Sequence, residues 1–322
     1  MDSRRRGNDD NNEIMNTATS QKNLQPATCN LQLNHGFLIL DKPLGISSAK
    51  AVAEVKRILQ CKKIGHGGTL DPLASGILPL AIGEATKAFD YVASSVKEYR
   101  FTITFGEERT TGDAEGEVTV TTDFIPSEED ILRILPEFSG TIMQTPPIYS
   151  ALKINGKAAY ELARAGQEVE MTARPVEIHS LSLLATDHKP QATLSVTCGK
   201  GTYVRSLAQD IARKCNSLGY VSALRRVSVG RFNETNAISL DKLPELVHNA
   251  ALLKAWVPIE LALDDIPAID MNPDQALALR HGKTLLIDKK DGEYMALYQG
   301  HILALAEVRG GVLRSKRIFN IQ

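Results

Sequence analysis

Cysteine is scarce in this chain. The 322 residues include four, Cys29, Cys61, Cys198 and Cys215, and no two form a Cys-x-x-Cys pair. That spacing offers neither a disulfide framework nor a zinc site, and it fits a reducing cytoplasm. Long apolar runs are also missing. None approaches the roughly 20 residues that cross a bilayer, and the arginines near the N-terminus have no apolar segment behind them. Neither export nor membrane insertion is expected. Charge of one sign is absent too: the formal net charge is −1 and the pI about 6.7, which over the whole chain argues against a polyanionic partner. Gly199-Lys200-Gly201-Thr202 resembles part of a nucleotide loop, but Leu194 stands where the first glycine would be needed, so no ATP site is indicated. No internal repeat is present.

The distribution of charge differs from its sum. Val196 to Phe232 holds seven Lys or Arg against one acid, Arg280 to Gln322 eight against four, and Glu107 to Glu137 ten acids against two arginines. Each basic stretch is either a solvated surface or a footprint for nucleic acid. With 43% hydrophobic residues the chain can bury a substantial core, and its length predicts about two domains.

Residues 1–35 are polar, without apolar period, and are expected to be a disordered arm in which Met15 offers an alternative start. Arg4-Arg5-Arg6 is followed closely by Asp9 and Asp10, so no RNA contact is assigned there. From Gly36 the pattern predicts a mixed α and β domain: a buried strand Gly36 to Leu40, a turn, and a helix with Val52, Val55, Ile58 and Leu59 on one face. Ile77 to Ile82 reads as a strand, Glu84 to Ala93 as a helix, and Lys97 to Phe105 as an alternating strand with Tyr99, Phe101, Ile103 and Phe105 on one side. Ser127 and Asp130 form a capping-box signal. Ile148 to Ile154 runs into Asn155-Gly156, a hairpin turn, and Ala158 to Arg164 continues as helix. Ala192 to Cys198 alternates as a strand, and Thr202 is expected to cap a helix with Val204, Leu207, Ala208, Ile211 and Ala212 inside. A boundary is expected near Pro258. Beyond it come a helix over Asp274 to Arg280 and short strands over Tyr294 to Val308 and Val312 to Phe319, a small β unit.

Between Gly65 and Lys87 the chain reads GHGGTLDPLASGILPLAIGEATK. Gly65, Gly67 and Gly68 let a ligand approach the backbone, and Pro72 holds the preceding Asp71 in extended geometry. A carboxylate presented in this way suits a nucleophile or a base, whereas a lone Asp-Pro is more commonly an ordinary turn. Arg205 falls in the first turn of its helix, where a cation opposes the dipole and wants an anion unless it points into water.

This segment resembles the catalytic segment of TruB-type tRNA pseudouridine synthases. So do Leu40-Asp41-Lys42-Pro43-Leu44-Gly45 with Ser47-Ser48, Lys97-Glu98-Tyr99, Gly112-Asp113, Pro146 to Lys153 and Gly201 to Leu207, in the same order along residues 36–322. The resemblance implies an α+β pseudouridine synthase fold over residues 36–258, with a central, mostly antiparallel sheet flanked by helices and an RNA-clasping insertion at about 146–172. Residues 259–322 would form a PUA-like β domain. The implied activity is isomerisation of the T-loop uridine of tRNA, position 55, after that base is flipped out. The resemblance also assigns roles: Asp71 starts the reaction, Arg205 pairs with it, and Tyr99, otherwise a core aromatic, stacks on uracil. His66 fills or braces the space the base leaves, or else is a solvent-facing histidine. Leu224 lies beside the uracil or is ordinary core. Tyr203, Lys42, Lys153, Arg225 and Arg226 are candidate RNA contacts. No cofactor and no metal are implied, and the expected partner is the T-arm of tRNA, bound by a cytoplasmic monomer without an obligatory protein partner. Two other readings stay open: the catalytic subunit of a guide-RNA pseudouridylation particle, and an RNA-binding or RNA-folding protein without turnover.

Overall fold

The computed structural model describes residues 34–186, 190–247 and 250–321. The polar arm, apart from Asn34 and His35, lies outside the described residues. Phe37 to Leu40 are four apolar residues in succession, and a strand of that kind has to be covered on both faces. It is: in β1 (Gly36–Lys42), Leu38 and Leu40 enter the main core, while Phe37 and Ile39 enter a second cluster on the other face. Residue Ser47 caps α1 (Ser48–Leu59) by accepting from the Lys50 N–H, and Gln60, at φ 50°, ends it. Strand β2 (Ala74–Ile82) is almost wholly buried, and β3 (Lys97–Phe105) buries every second residue from Lys97 to Phe105, as its alternation predicts. The remaining long elements are β4 (Gly140–Gln144), β5 (Arg174–Ala185), β6 (Gln191–Cys198), α2 (Val204–Lys214) and β7 (Gly219–Val229).

These strands form one sheet in the order β1, β2, β7, β3, β6, β5, β4, edged beyond β1 by the short strand Ile238–Ser239. Every long-strand pair is antiparallel except β2 with β7, which run parallel through Ala74 to Gly76 and Leu224 to Arg226. The sheet is therefore mostly antiparallel, as expected. The edge strand Ile238–Ser239 also runs parallel to β1, and the one parallel junction between long strands begins three residues after Asp71.

Local signals hold in several places. Asn155 and Gly156 both have positive φ and turn the Lys153–Ile154 and Lys157–Ala158 hairpin, and Ser127 with Asp130 makes a complete capping box. Two expectations are corrected. The helix read over Glu84 to Ala93 is a 3-10 turn, Gly83–Ala88, followed by an α-helix, Phe89–Ser94. Thr202 does not cap α2; its hydroxyl donates to the Gly199 carbonyl, and Tyr203 occupies the cap position, its N–H held by the Gln144 side chain.

Beyond Pro258 a five-stranded sheet is built around the hairpin Gly292–Tyr298 and His301–Arg309, flanked by a helix, Pro273–Arg280, with an Asn272–Gln275 capping box. It is not a separate bead. Ile259, Leu263, Met295, Leu305 and Phe319 share one apolar cluster with Phe37 and Ile39 of β1. Among the described residues no helix is long and apolar enough to cross a membrane.

At the parallel junction Gly76 has φ +102°, and a Cβ there would overlap the backbone carbonyl of Arg226. Gly76→Ala should cost about 3 kcal/mol or more of unfolding free energy, combining a positive-φ penalty with a backbone clash. Urea unfolding followed by circular dichroism tests this, and a loss under 1 kcal/mol by that measurement would contradict it.

Candidate active site

The loop before β2 is fastened at nearly every residue. The Ser48 hydroxyl accepts from the Leu70 N–H at 2.8 Å and donates to the Leu70 carbonyl at 2.9 Å; Gly45 N–H donates to the Pro72 carbonyl, and Gly67 N–H to the Pro79 carbonyl. The Ala74 N–H then closes on the Asp71 carbonyl at 3.0 Å. These bonds explain why the Gly45 and Ser47-Ser48 segment accompanies the Asp71 loop: one holds the backbone of the other. From beneath, Arg226 donates to the carbonyls of Ile77 and Gly68.

Arg205 is the partner of Asp71. Its Nε lies 2.9 Å from Asp71 Oδ2, and its two terminal nitrogens donate to the carbonyls of Thr111 and Tyr149, each at 2.8 Å. The side chain is 5% exposed, so the alternative of an arginine pointing into water does not hold. A second carboxylate, Asp113, stands 3.6 Å from the same Nε and is itself fixed by the Thr111 hydroxyl and the Glu115 N–H. The two carboxylates offset the unfavourable placing of a cation in the first turn of α2. Burial pushes the Asp71 carboxyl above its ordinary range; the Arg205 guanidinium pulls it back and Asp113 pushes it further. Arg205 thus favours the ionised form, as expected, yet burial outweighs it.

Asp71 opens into a cleft of about 390 Å³, whose walls include Gly68, Tyr99, Leu224, Tyr203, Ser150 and Lys97. Tyr99 and Leu224 are over nine-tenths buried and offer an aromatic and an aliphatic wall. The phenol of Tyr99 is raised by burial and lies against the Arg226 guanidinium, which opposes that shift. Tyr203 is half-buried under Arg174, whose guanidinium lies 5.4 Å from the ring centroid. His66 is on the short strand Ile64–His66 and does not line this cleft; its Nδ1 is buried without a hydrogen-bond partner, and burial together with Arg226 lowers its pKa. A larger hollow, about 790 Å³ between the helix Phe89–Ser94 and the C-terminal unit, shares no lining residue with the Asp71 cleft.

Of the expected phosphate contacts, one is placed to make one. Lys153 is exposed on the short strand Lys153–Ile154. Lys42 is wholly buried, its ammonium donating to the Pro43 and Ile46 carbonyls and lowered to about 8 by burial. Arg226 is buried under the Asp71 loop. Arg225 is half-exposed but grips both oxygens of Asp41, at 3.0 and 2.8 Å, and also Glu234, and these partners raise its pKa. All three cations are spent on holding the fold. No structural part was expected of Ser48, Asp113, Gln144 or Lys97; Ser48, Asp113 and Lys97 stand within the family-like motifs, but only the folded chain shows what they face.

Comparison with known proteins gives the family. A model described as TruB family pseudouridylate synthase (N terminal domain) matches residues 56–204, and one described as tRNA pseudouridylate synthase B C-terminal domain matches residues 205–264. Proteins named tRNA pseudouridine synthase B are similar over nearly the whole chain. The one from Bradyrhizobium diazoefficiens is 48% identical over 89% of this chain and 86% of its own, and the one from Rhodopseudomonas palustris is 44% identical over 97% and 88%. Among solved structures, a chain in a Cbf5-Nop10-Gar1 complex superposes with a TM-score of 0.70 at 25% identity, covering 89% of this chain and 85% of that one. The fold is therefore that of a pseudouridine synthase, with a small PUA-like sheet appended. Within that class the chain belongs to the TruB family.

Two measurements check the electrostatics. The carboxyl carbon of Asp71, followed by ¹³C NMR, should titrate above the ordinary 3.8 and move down in Asp113→Asn, where a like charge is removed; an unshifted midpoint in the variant would contradict the arrangement. Arg225→Ala should lower stability by about 1 kcal/mol, discounted for its partial exposure. It should leave the salt dependence of tRNA binding unchanged, and a shallower slope in a filter-binding titration would return Arg225 to the phosphate contacts.

Proposed function

We propose that this protein isomerises the T-loop uridine at position 55 of tRNA to pseudouridine. The observation that carries the reading is the Asp71–Arg205 pair at 2.9 Å, set at the edge of a small cleft walled by Tyr99 and Leu224. A cleft of about 390 Å³ takes one nucleotide and not a duplex. The target must therefore leave its stack before Asp71 can reach it.

The reaction breaks the bond from N1 of uracil to C1′ and rejoins the same base through C5. Arg205 occupies Oδ2 of Asp71, and Oδ1 has no hydrogen-bond partner among the described residues, so one oxygen stays available to the nucleotide. That oxygen acts as a nucleophile on the target nucleotide or as a base at the ribose, and either route uses the ionised form. Because burial raises its pKa, Asp71 is a stronger base than an exposed aspartate. Tyr99 stacks on the base against Leu224, and Arg226 orders the Asp71 loop without touching RNA. His66, on the short strand beside that loop, braces the T loop where the base has left.

The insertion around 146–172, carrying Lys153, clasps the T-arm, and the C-terminal sheet extends the RNA surface. The protein works as a cytoplasmic monomer with no obligatory protein partner. The names of relatives at 41–48% identity support a tRNA substrate. Likeness to chains solved within complexes is lower, at 23–25%, and supports the fold more than a guide-dependent assembly.

The test is tritium release from a tRNA transcript carrying C5-tritiated uridine, with no guide RNA present. Wild-type protein should release tritium, while folded Asp71→Asn should be slower by at least about a thousandfold. Tight binding without release from either protein would sink the reading in favour of a guide-dependent or binding-only protein.

A further inference from the structure

Lys97 has no part in the chemistry above, yet it lines the same cleft as Asp71. It lies two residues before Tyr99 on β3, so both side chains leave the same face of the strand, which places Lys97 at the base end of the cleft. The residue is 7% exposed. Its ammonium donates to the Ala93 carbonyl at 2.8 Å and the Ser95 carbonyl at 2.7 Å, and it makes no ion pair with a carboxylate among the described residues. The charged or titratable groups facing it are Arg226 from β7, Lys200 from the turn after β6, and the thiol of Cys198. Two of the three are cations. The acids, Asp71, Asp113 and Glu115, are grouped with one another elsewhere in the site.

A buried cation without an anion is unfavourable, and such groups are matched by charge that arrives with a ligand or develops during reaction. The isomerisation develops one. When the N1–C1′ bond breaks, its electron pair leaves with the base, which becomes a uracil anion. An electron pair of that anion then forms the C5–C1′ bond, the C5 proton is lost and N1 gains a proton, so the net change is zero. We propose that Lys97 is a further catalytic residue whose ammonium stabilises the detached uracil anion between cleavage and reattachment. This rests on the isomerase reading of the cleft.

One feature separates this role from a strut for the helix Phe89–Ser94. The ammonium has three protons and two satisfy carbonyls; the neutral amine keeps two, so deprotonation leaves both carbonyl bonds possible and removes the charge. Burial, with Arg226 and Lys200 adding and Cys198 opposing, brings the Lys97 ammonium down to about 8, within reach of a rate profile.

The experiment follows tritium release from the same transcript for wild type, Lys97→Met, Lys97→Arg and Asp71→Asn, with tRNA affinity measured by filter binding. Lys97→Met should slow the single-turnover rate at saturating protein by about 100-fold, with Kd within about twofold of wild type. The wild-type kcat/KM should fall above pH about 8, and Lys97→Arg, which does not titrate there, should carry that limb to higher pH. Lys42, also lowered to about 8, does not line the cleft and titrates alike in both proteins, so the comparison isolates Lys97. A wild-type rate in Lys97→Met, weakened tRNA affinity with an unchanged rate, as for a phosphate anchor, or an unmoved limb in Lys97→Arg would each overturn the proposal. If Lys97→Met does not fold, the Lys97→Arg profile decides alone. Release by Asp71→Asn would sink the underlying reading instead; a silent Asp71→Asn beside a fast Lys97→Met would sink this inference only.

Discussion

The guanidinium of Arg205 is the point where three otherwise separate segments meet. Its Nε holds the Asp71 loop, and its two terminal nitrogens hold the Thr111 and Tyr149 carbonyls, the latter just before the Lys153–Ile154 hairpin strand. Only arginine has a planar fork that can serve three acceptors in fixed directions, and lysine could not replace it. The cation is buried in the first turn of a helix, a place that disfavours it, and is retained because Asp71 and Asp113 supply the compensating charge. Breaking that group would leave buried charge unmatched on at least one side.

The same logic extends through the cleft. Lys42, Lys97 and Arg226 are buried cations that donate to backbone carbonyls rather than carboxylates. Arg226 thereby orders the Asp71 loop, Lys42 the turn before α1 and Lys97 the end of the helix Phe89–Ser94, while strands and a helix supply the walls of the site. Charge and order come from one set of residues. Asp71 meets Arg205 through Oδ2 alone, and the neighbouring cations are taken up by backbone carbonyls.

How much of this could be read from the sequence depended on how local the cause was. The alternation of β3, the Asn155-Gly156 turn and the Ser127–Asp130 box are set by neighbours in the chain and were legible there. The Asp71 loop and Arg205 were legible as motifs, although their separation, 2.9 Å across more than a hundred residues of sequence, is a tertiary fact. Lys42, Arg225 and Arg226 were read as phosphate contacts because a basic residue looks the same on paper whether it faces water or a protein acceptor, and the structure gives each of them protein partners. Asp41 lies far from Arg225 in sequence and beside it in space. Thr202 looked like a cap by composition, while the role fell to Tyr203 because Gln144, from a distant strand, supplies the acceptor.

The apolar cluster shared by β1 and the C-terminal sheet has a consequence for how the protein is made. Phe37 and Ile39 leave the ribosome long before Leu305 and Phe319, which share their cluster and lie more than 250 residues later in the chain. Until they emerge, one face of the sheet stays incompletely covered, a state prone to association with other nascent chains. That face of the sheet is sealed only when these later strands arrive, so maturation of the site waits on residues made long after the Asp71 loop.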